Sequence, residues 1–108
     1  MTFQRVAALD EVWPGEMRPL VVDGVRVLLV NTDDEVSAFL DCCAHQGVAL
    51  SQGRLEAGVI VCAAHGWTYD ARTGCGANPR SARLTRLPVR VDGGDIFVDV
   101  ASAGAGAR

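Results

Sequence analysis

Hydrophobic and polar residues alternate along two stretches of this chain, and each stretch predicts a β-hairpin. In 18–31, two apolar runs flank Asp23 and Gly24, a dipeptide typical of a two-residue hairpin turn. In 87–100, valines alternate with Arg and Asp around a Gly-Gly pair at 93–94. That alternation is typical of an antiparallel sheet with one solvated face.

Shorter patterns extend the same architecture. Strands are predicted at 3–9 and at 35–41, and 9–17 predicts a helical turn that ends at a Pro-Gly pair. Residues 101–108 have nothing to bury and predict a flexible tail. With 108 residues, the chain (1–108) is expected to form a single all-β domain.

The stretch between the two hairpins, about 42–80, differs from the rest of the chain. It is rich in Gly, has weak periodicity, and holds all four cysteines and both histidines. We expect it to be a loop-built subdomain inserted into a β scaffold, because binding sites often lie on loops that a rigid scaffold holds. Within it, 51–62 predicts a strand, a turn and a second strand. That hairpin would bring the loops before and after it side by side at one end.

Charge and composition exclude several classes of function. The net charge is −3, and a mildly acidic chain is a poor candidate for binding nucleic acid. The longest apolar runs have the length of strands, so no membrane span is predicted. The N-terminus lacks the basic and then apolar pattern of a secretory signal. We therefore expect a cytoplasmic, reducing location, where cysteines indicate metal binding or catalysis rather than disulfides.

Two matched Cys/His pairs carry the candidate chemistry. One residue separates Cys43 from His45, two residues separate Cys62 from His65, and sixteen residues lie between the pairs. Gaps this short let a thiolate and an imidazole point at one centre. Because the only two histidines of the chain both fall in these pairs, we interpret all four residues as metal ligands.

This set of donors admits two kinds of metal centre. One is a [2Fe–2S] cluster with two thiolates on one iron and two imidazoles on the other. The second is a tetrahedral structural zinc ion. Structural zinc sites in small domains usually pair Cys with Cys and His with His, so the mixed order found here fits zinc poorly.

The motif C-x-H-x₁₆-C-x-x-H resembles that of the Rieske proteins, and the resemblance covers most of the chain. It is closest to the small Rieske ferredoxins of bacterial multicomponent toluene and alkene monooxygenases. The stretches behind this finer match are FQRVAALDEVWPGEM, CAHQGVALSQG, GVIVCAAHGWTYDARTG and GANP. The resemblance implies a Rieske fold, an antiparallel β sandwich or barrel-like scaffold with an inserted two-loop cluster-binding subdomain.

The resemblance also implies the cofactor and the partners. Cys43 and Cys62 would bind the inner iron of one [2Fe–2S] cluster, and His45 and His65 would bind the outer iron near the surface. Ferredoxins of this group carry single electrons from an NADH-dependent flavin and iron–sulfur reductase to a di-iron hydroxylase. We therefore expect an electron carrier rather than an enzyme, in a system that oxidises aromatic or alkene hydrocarbons, with no nucleic-acid or membrane partner.

Further residues are expected to surround the cluster or to form the docking surface for partners. Pro79 would shape a third loop that covers the cluster. Trp67 is expected to pack over the cluster rather than to relay electrons. The full set is Gln46, Gly47, Gly66, Trp67, Tyr69 and Pro79.

Two departures from the respiratory Rieske pattern predict a low reduction potential. Those proteins carry a bracing disulfide between the loops where this chain has Val48 and Ala64. They also carry a serine hydrogen-bond donor where this chain has Trp67, whereas Tyr69 matches a second donor position. Hydrogen bonds to cluster sulfur raise the potential. We thus expect a value toward the low end of the Rieske span of about −150 to +300 mV.

The two cysteines outside the motif have more ordinary interpretations. Neighbouring side chains of a strand point in opposite directions, so Cys42 is expected to be buried against the scaffold if Cys43 faces iron. Cys75 is interpreted as structural or incidental, with a reactive exposed thiol as the alternative.

Three other functions stay open at this point. A ferredoxin of an aromatic-ring dioxygenase shares much of the pattern, as do the small subunits of nitrite reductases. A zinc-stabilised interaction module is a different class, which would be colourless rather than red-brown. A thiol oxidoreductase is a distant third, because Cys42 and Cys43 lack the C-x-x-C spacing.

Overall fold

The computed structural model describes residues 3–33, 35–42, 49–63, 66–78 and 82–100. Within these ranges the chain forms eleven strands and two short 3₁₀ turns. No helix in them has the length and apolar character needed to cross a bilayer. The predicted all-β fold class is therefore confirmed.

The strands are short and pair only in antiparallel fashion. In chain order they are β1 (Gln4–Ala8), β2 (Met17–Val22), β3 (Val25–Thr32), β4 (Glu35–Leu40), β5 (Arg54–Glu56), β6 (Val59–Val61), β7 (Thr68–Asp70), β8 (Gly76–Asn78), β9 (Arg86–Leu87), β10 (Val89–Asp92) and β11 (Asp95–Val98). They form three sheets, ordered β1-β11-β10, β2-β3-β4-β9 and β5-β6-β7-β8. The 3₁₀ turns are Leu9–Glu11, within the stretch predicted as a helical turn, and Leu50–Gln52.

The sheet β2-β3-β4-β9 is the middle layer of the molecule. Val27 and Leu29 of β3 join the core shared with β1, β10 and β11. Leu28 and Val30 belong to a second core, shared with the sheet β5-β6-β7-β8. A strand buried on both faces has no solvated face with which to alternate, which explains the unbroken apolar run at 27–30.

Three hairpin turns share one backbone geometry. The central residues have positive φ in each: 52° and 77° at Asp23 and Gly24, 51° and 79° at Ala57 and Gly58, and 61° and 82° at 93–94. Positive φ at both central residues is the type I′ turn, whose twist matches that of paired strands. The hairpins predicted in 18–31, 51–62 and 87–100 are all confirmed.

Residues 42–80 hold more regular structure than the sequence predicted, because β7 and β8 join the predicted hairpin of β5 and β6 in a four-stranded sheet. Strands β7 and β8 have three residues each, too few to establish a period of two in the sequence. The boundary of this subdomain stays a prediction. The predicted tail at 101–108 lies outside the described residues.

Gly53 connects the second 3₁₀ turn to β5 where the backbone of β6 passes against it. A Cβ atom at Gly53 would overlap the carbonyl oxygen of Val61 and would lie 3.2 Å from the backbone nitrogen of Ala63. Both neighbours are backbone atoms, so no side-chain rotation could relieve the overlap. The close contact therefore requires glycine and holds the start of β5 against the end of β6.

We predict that Gly53→Ala lowers the free energy of unfolding by about 3 kcal/mol, because the methyl group forces β5 away from β6. Gly58→Ala is the matched control. Its Cβ would meet no atom within 4 Å, and only its φ of +79° is unfavourable. We expect it to cost about 1 kcal/mol. Chemical denaturation of both variants measures the difference, and equal losses would contradict the steric explanation.

Candidate metal centre

Cys62 is the predicted ligand that falls within the described residues. It directly follows β6, and only 2% of its surface is exposed. It belongs to the core between the middle sheet and the third sheet, together with Ile60 and Tyr69. The strand therefore delivers this thiol into the interior, where water is excluded.

A closed turn follows Cys62. The backbone N–H of Cys62 donates to the carbonyl oxygen of Trp67 at 2.8 Å, and the N–H of Gly66 donates to the carbonyl oxygen of Cys62 at 3.1 Å. Gly66 has a φ of +69°, in the left-handed region that favours glycine. Ala63 and Gly66 are both exposed, so the chain passes from the core to the surface within this turn.

The loop before β5 reaches the same end of the β5–β6 hairpin. Gly53 lies against the backbone of Val61 and Ala63, on either side of Cys62. The described end of the loop before β5 is thus in contact with the beginning of the loop after β6, as the predicted hairpin requires. The other predicted ligands and several surrounding residues lie outside the described part of the chain: Cys43, His45, Gln46, Gly47, Val48, Ala64, His65 and Pro79.

Two aromatic residues line the described side of the site. Tyr69 is fully buried and pairs with Ile60 across β6 and β7. Trp67 is half-buried and packs against the same core. Cross-strand alternation places Cys62, Trp67 and Tyr69 on one face, and diagonal neighbours about 7–8 Å apart are within reach of an aromatic side chain. Tyr69 as a donor toward the cluster stays a prediction.

The expected burial of Cys42 is wrong, because its side chain is exposed. The strand β4 ends at Leu40, and the backbone N–H of Cys42 bonds to the carbonyl oxygen of Leu40 at 2.8 Å. This tight turn ends the alternation on which the expectation depended. Asp41, which the sequence analysis did not single out, is buried instead. Cys75 is exposed, which is compatible with both interpretations given for it.

The described residues are compatible with a cluster of this type. A thiolate in an apolar interior is costly unless a cation binds it, and an iron at Cys62 would supply that charge. The turn that follows leads outward, where a solvent-facing ligand would lie. In the described ranges no three His, Cys, Asp or Glu side chains group together, and three of the four predicted ligands fall outside them.

Comparison with known proteins identifies the family. A model of the Rieske [2Fe–2S] domain matches residues 2–88. The ferredoxin component of the alkene monooxygenase system of Xanthobacter autotrophicus is 38% identical over 94 residues, covering 86% of this chain and 77% of that protein. The biphenyl dioxygenase ferredoxin subunit of Pseudomonas sp. is 34% identical over 105 residues, covering 95% and 96%.

A solved structure shows the same fold. It is the complex of reduced oxygenase and oxidised ferredoxin in carbazole 1,9a-dioxygenase, with a TM-score of 0.81 and 30% identity over 89% of this chain and 91% of that chain. The predicted Rieske fold and [2Fe–2S] cofactor are confirmed, and the zinc module is excluded. The protein is an electron-carrying ferredoxin rather than an enzyme. This chain belongs to the Rieske [2Fe–2S] domain family.

Proposed function

We propose that this ferredoxin carries single electrons from an NADH-dependent flavin and iron–sulfur reductase to a di-iron monooxygenase hydroxylase that acts on aromatic or alkene hydrocarbons. We place this activity in the cytoplasm, without nucleic-acid or membrane partners. The observation that carries the electron-transfer role is the buried Cys62 thiol on a turn that leads to the surface. The choice of client is supported by the 38% identity with the alkene monooxygenase ferredoxin component.

We assign the cluster ligands to Cys43, His45, Cys62 and His65. The bound cluster supplies one-electron redox chemistry. The burial of Cys62 supports an inner position for the thiolates. The exposed residues Ala63 and Gly66 support an outer position for His65, which lies between them in the sequence.

This arrangement gives the carrier one place for electron transfer. The core side of the site is closed by Tyr69 and by Ile60 of β6, both fully buried, which exclude water and partner proteins. The surface side is the exposed end of the turn that follows Cys62. Reductase and oxygenase would therefore dock in turn at this tip, which suits a carrier that has no substrate of its own.

A ferredoxin for an aromatic-ring dioxygenase is the second candidate. It is supported by the biphenyl dioxygenase ferredoxin subunit, which is 34% identical to this chain, with 96% of the subunit's length aligned. The two candidates share the cluster and the fold and differ only in the oxygenase served.

The first prediction concerns the adjacent cysteines. Cys43→Ser should abolish the visible absorption and the reduced-state EPR signal, because a thiolate ligand is lost. Cys42→Ser should preserve both spectra and leave the denaturation midpoint nearly unchanged, because Cys42 is exposed. Iron and acid-labile sulfide should be present in equal amounts in the wild type. If the Cys42 variant bleaches and the Cys43 variant does not, the assigned register is wrong.

A second prediction concerns the buried phenol. Tyr69→Phe removes the hydroxyl while keeping the ring that fills the core between β6 and β4. If the hydroxyl donates to cluster sulfur or to a ligand thiolate, its loss removes about 1 kcal/mol of preference for the reduced state. The midpoint potential should then fall by about 40 mV for a one-electron couple. Protein-film voltammetry measures this, and an unchanged potential would exclude Tyr69 as a donor.

A third prediction separates the two clients. The ferredoxin is combined with a di-iron alkene or toluene hydroxylase, or with a biphenyl-type dioxygenase, each with its own reductase and without its own ferredoxin. We expect NADH oxidation coupled to product formation to be at least about tenfold faster with the hydroxylase, equivalent to about 1.4 kcal/mol of transition-state preference. A faster reaction with the dioxygenase would support the second candidate instead.

A further inference from the structure

A buried carboxylate lies next to the first ligand pair. Asp41 directly follows β4 and is only 4% exposed. Its Oδ1 accepts the backbone N–H of Ser51 at 2.9 Å, and its Oδ2 accepts the hydroxyl of Ser51 at 2.7 Å. Both carboxylate oxygens are therefore bonded to a single residue.

These two bonds join the ends of the segment that holds Cys43 and His45. Asp41 and Ser51 are ten positions apart, one before the segment and one after it. Each end is also anchored to a rigid element. The N–H of Asp41 donates to the carbonyl oxygen of Arg26 on β3 at 3.0 Å, and Leu50, next to Ser51, is fully buried in the core.

This contact is stronger than a surface interaction because the carboxylate is buried and both of its oxygens accept hydrogen bonds. Removing a carboxylate from water is costly, and two hydrogen bonds to the charged group compensate for that cost. Because one bond comes from the backbone and one from the side chain of Ser51, the contact fixes both the position and the orientation of the chain there. A loop whose two ends are joined to each other has far fewer accessible conformations than one that is held at a single end.

The contact also lies where the site needs a constraint. Val48 and Ala64 cannot form a disulfide, so the two loops lack the covalent link that the resemblance to respiratory Rieske proteins would place at these positions. Two residues beyond Ser51, Gly53 rests on the backbone around Cys62. The contact between Asp41 and Ser51 is thereby held in fixed relation to the backbone around Cys62.

We propose that Asp41 is a positioning residue for the cluster. Its bonds to Ser51 close the first loop and fix Cys43 and His45 relative to Cys62, in the absence of a disulfide. The proposal rests on the ligand set proposed above. It requires that loss of the contact changes the bound cluster, and not only the stability of the fold.

The test compares Asp41→Ala, Ser51→Ala and the double variant of the full chain, purified with its cluster. We expect Asp41→Ala to lose its cluster to a ferrous chelator about tenfold faster than the wild type, since two charge-assisted hydrogen bonds are removed. Its EPR lines should broaden and its midpoint potential should shift. Ser51→Ala keeps the backbone bond and should be intermediate, and the double variant should resemble Asp41→Ala.

Two further variants separate positioning from stability. Asp41→Asn can still accept the N–H of Ser51 and donate to its hydroxyl, so it should restore most of the cluster lifetime. Asp70→Ala is the matched control, because Oδ1 of Asp70 accepts the backbone N–H groups of Arg72 at 2.8 Å and Thr73 at 3.2 Å in the turn after β7. It should lower the denaturation midpoint and leave the EPR spectrum and potential unchanged.

The possible outcomes are distinct. If Asp41→Ala and Ser51→Ala match the wild type in cluster lifetime, EPR line width and potential, the proposal is overturned while the ligand set stands. The same conclusion follows if Asp70→Ala changes these three properties equally. If Asp41→Ala does not fold, Ser51→Ala alone decides between the two results. A wild-type protein without the mixed thiolate and imidazole spectrum would instead overturn the proposed ligand set.

Discussion

The burial of the middle sheet on both faces is the constraint on which the rest of this structure depends. One face packs on the hairpin of β10 and β11 and gives the molecule an ordinary sandwich core. The other face packs on the small sheet that carries Cys62. Because the four strands of that sheet are only three residues long, they have little stability of their own. The proposed ligand Cys62 is therefore positioned by a core that it shares with the scaffold.

Much of this fold follows from local sequence. Asp23-Gly24 and the glycine pair at 93–94 define two hairpins through a turn geometry that few other residues tolerate. Of the small sheet, the hairpin of β5 and β6 was predicted, but β7 and β8 were not, since three-residue strands leave no readable period. Its packing against Leu28 and Phe39 is a long-range interaction that only the folded chain reveals.

The site could be predicted from the sequence only in part. Spacing and residue type predict the two Cys/His pairs as ligands, because few arrangements can use two thiolates and two imidazoles so close together. Of these four residues, Cys62 lies within the described ranges. The orientation of Cys42 was wrong because strand alternation was extended one residue beyond the end of β4. The contact between Asp41 and Ser51 could not be predicted, because an Asp and a Ser ten positions apart are common in any sequence, and only their burial and mutual distances distinguish them. Close contacts of this kind depend on the path of the backbone, which residue types alone do not determine.

The same contacts explain how a chain of this size can act as an electron carrier. One-electron transfer is favoured when the surroundings of the centre rearrange little, and three groups on the described side of this site are closely packed or hydrogen-bonded. Tyr69 is fully buried, Gly53 lies against backbone atoms, and Asp41 has both oxygens bonded. The opposite side opens to solvent within one turn of Cys62, at the exposed Ala63 and Gly66. A rigid interior next to an accessible tip would let the two proposed partners use one centre in succession. It also leaves the choice of partner to surface residues that the core does not constrain.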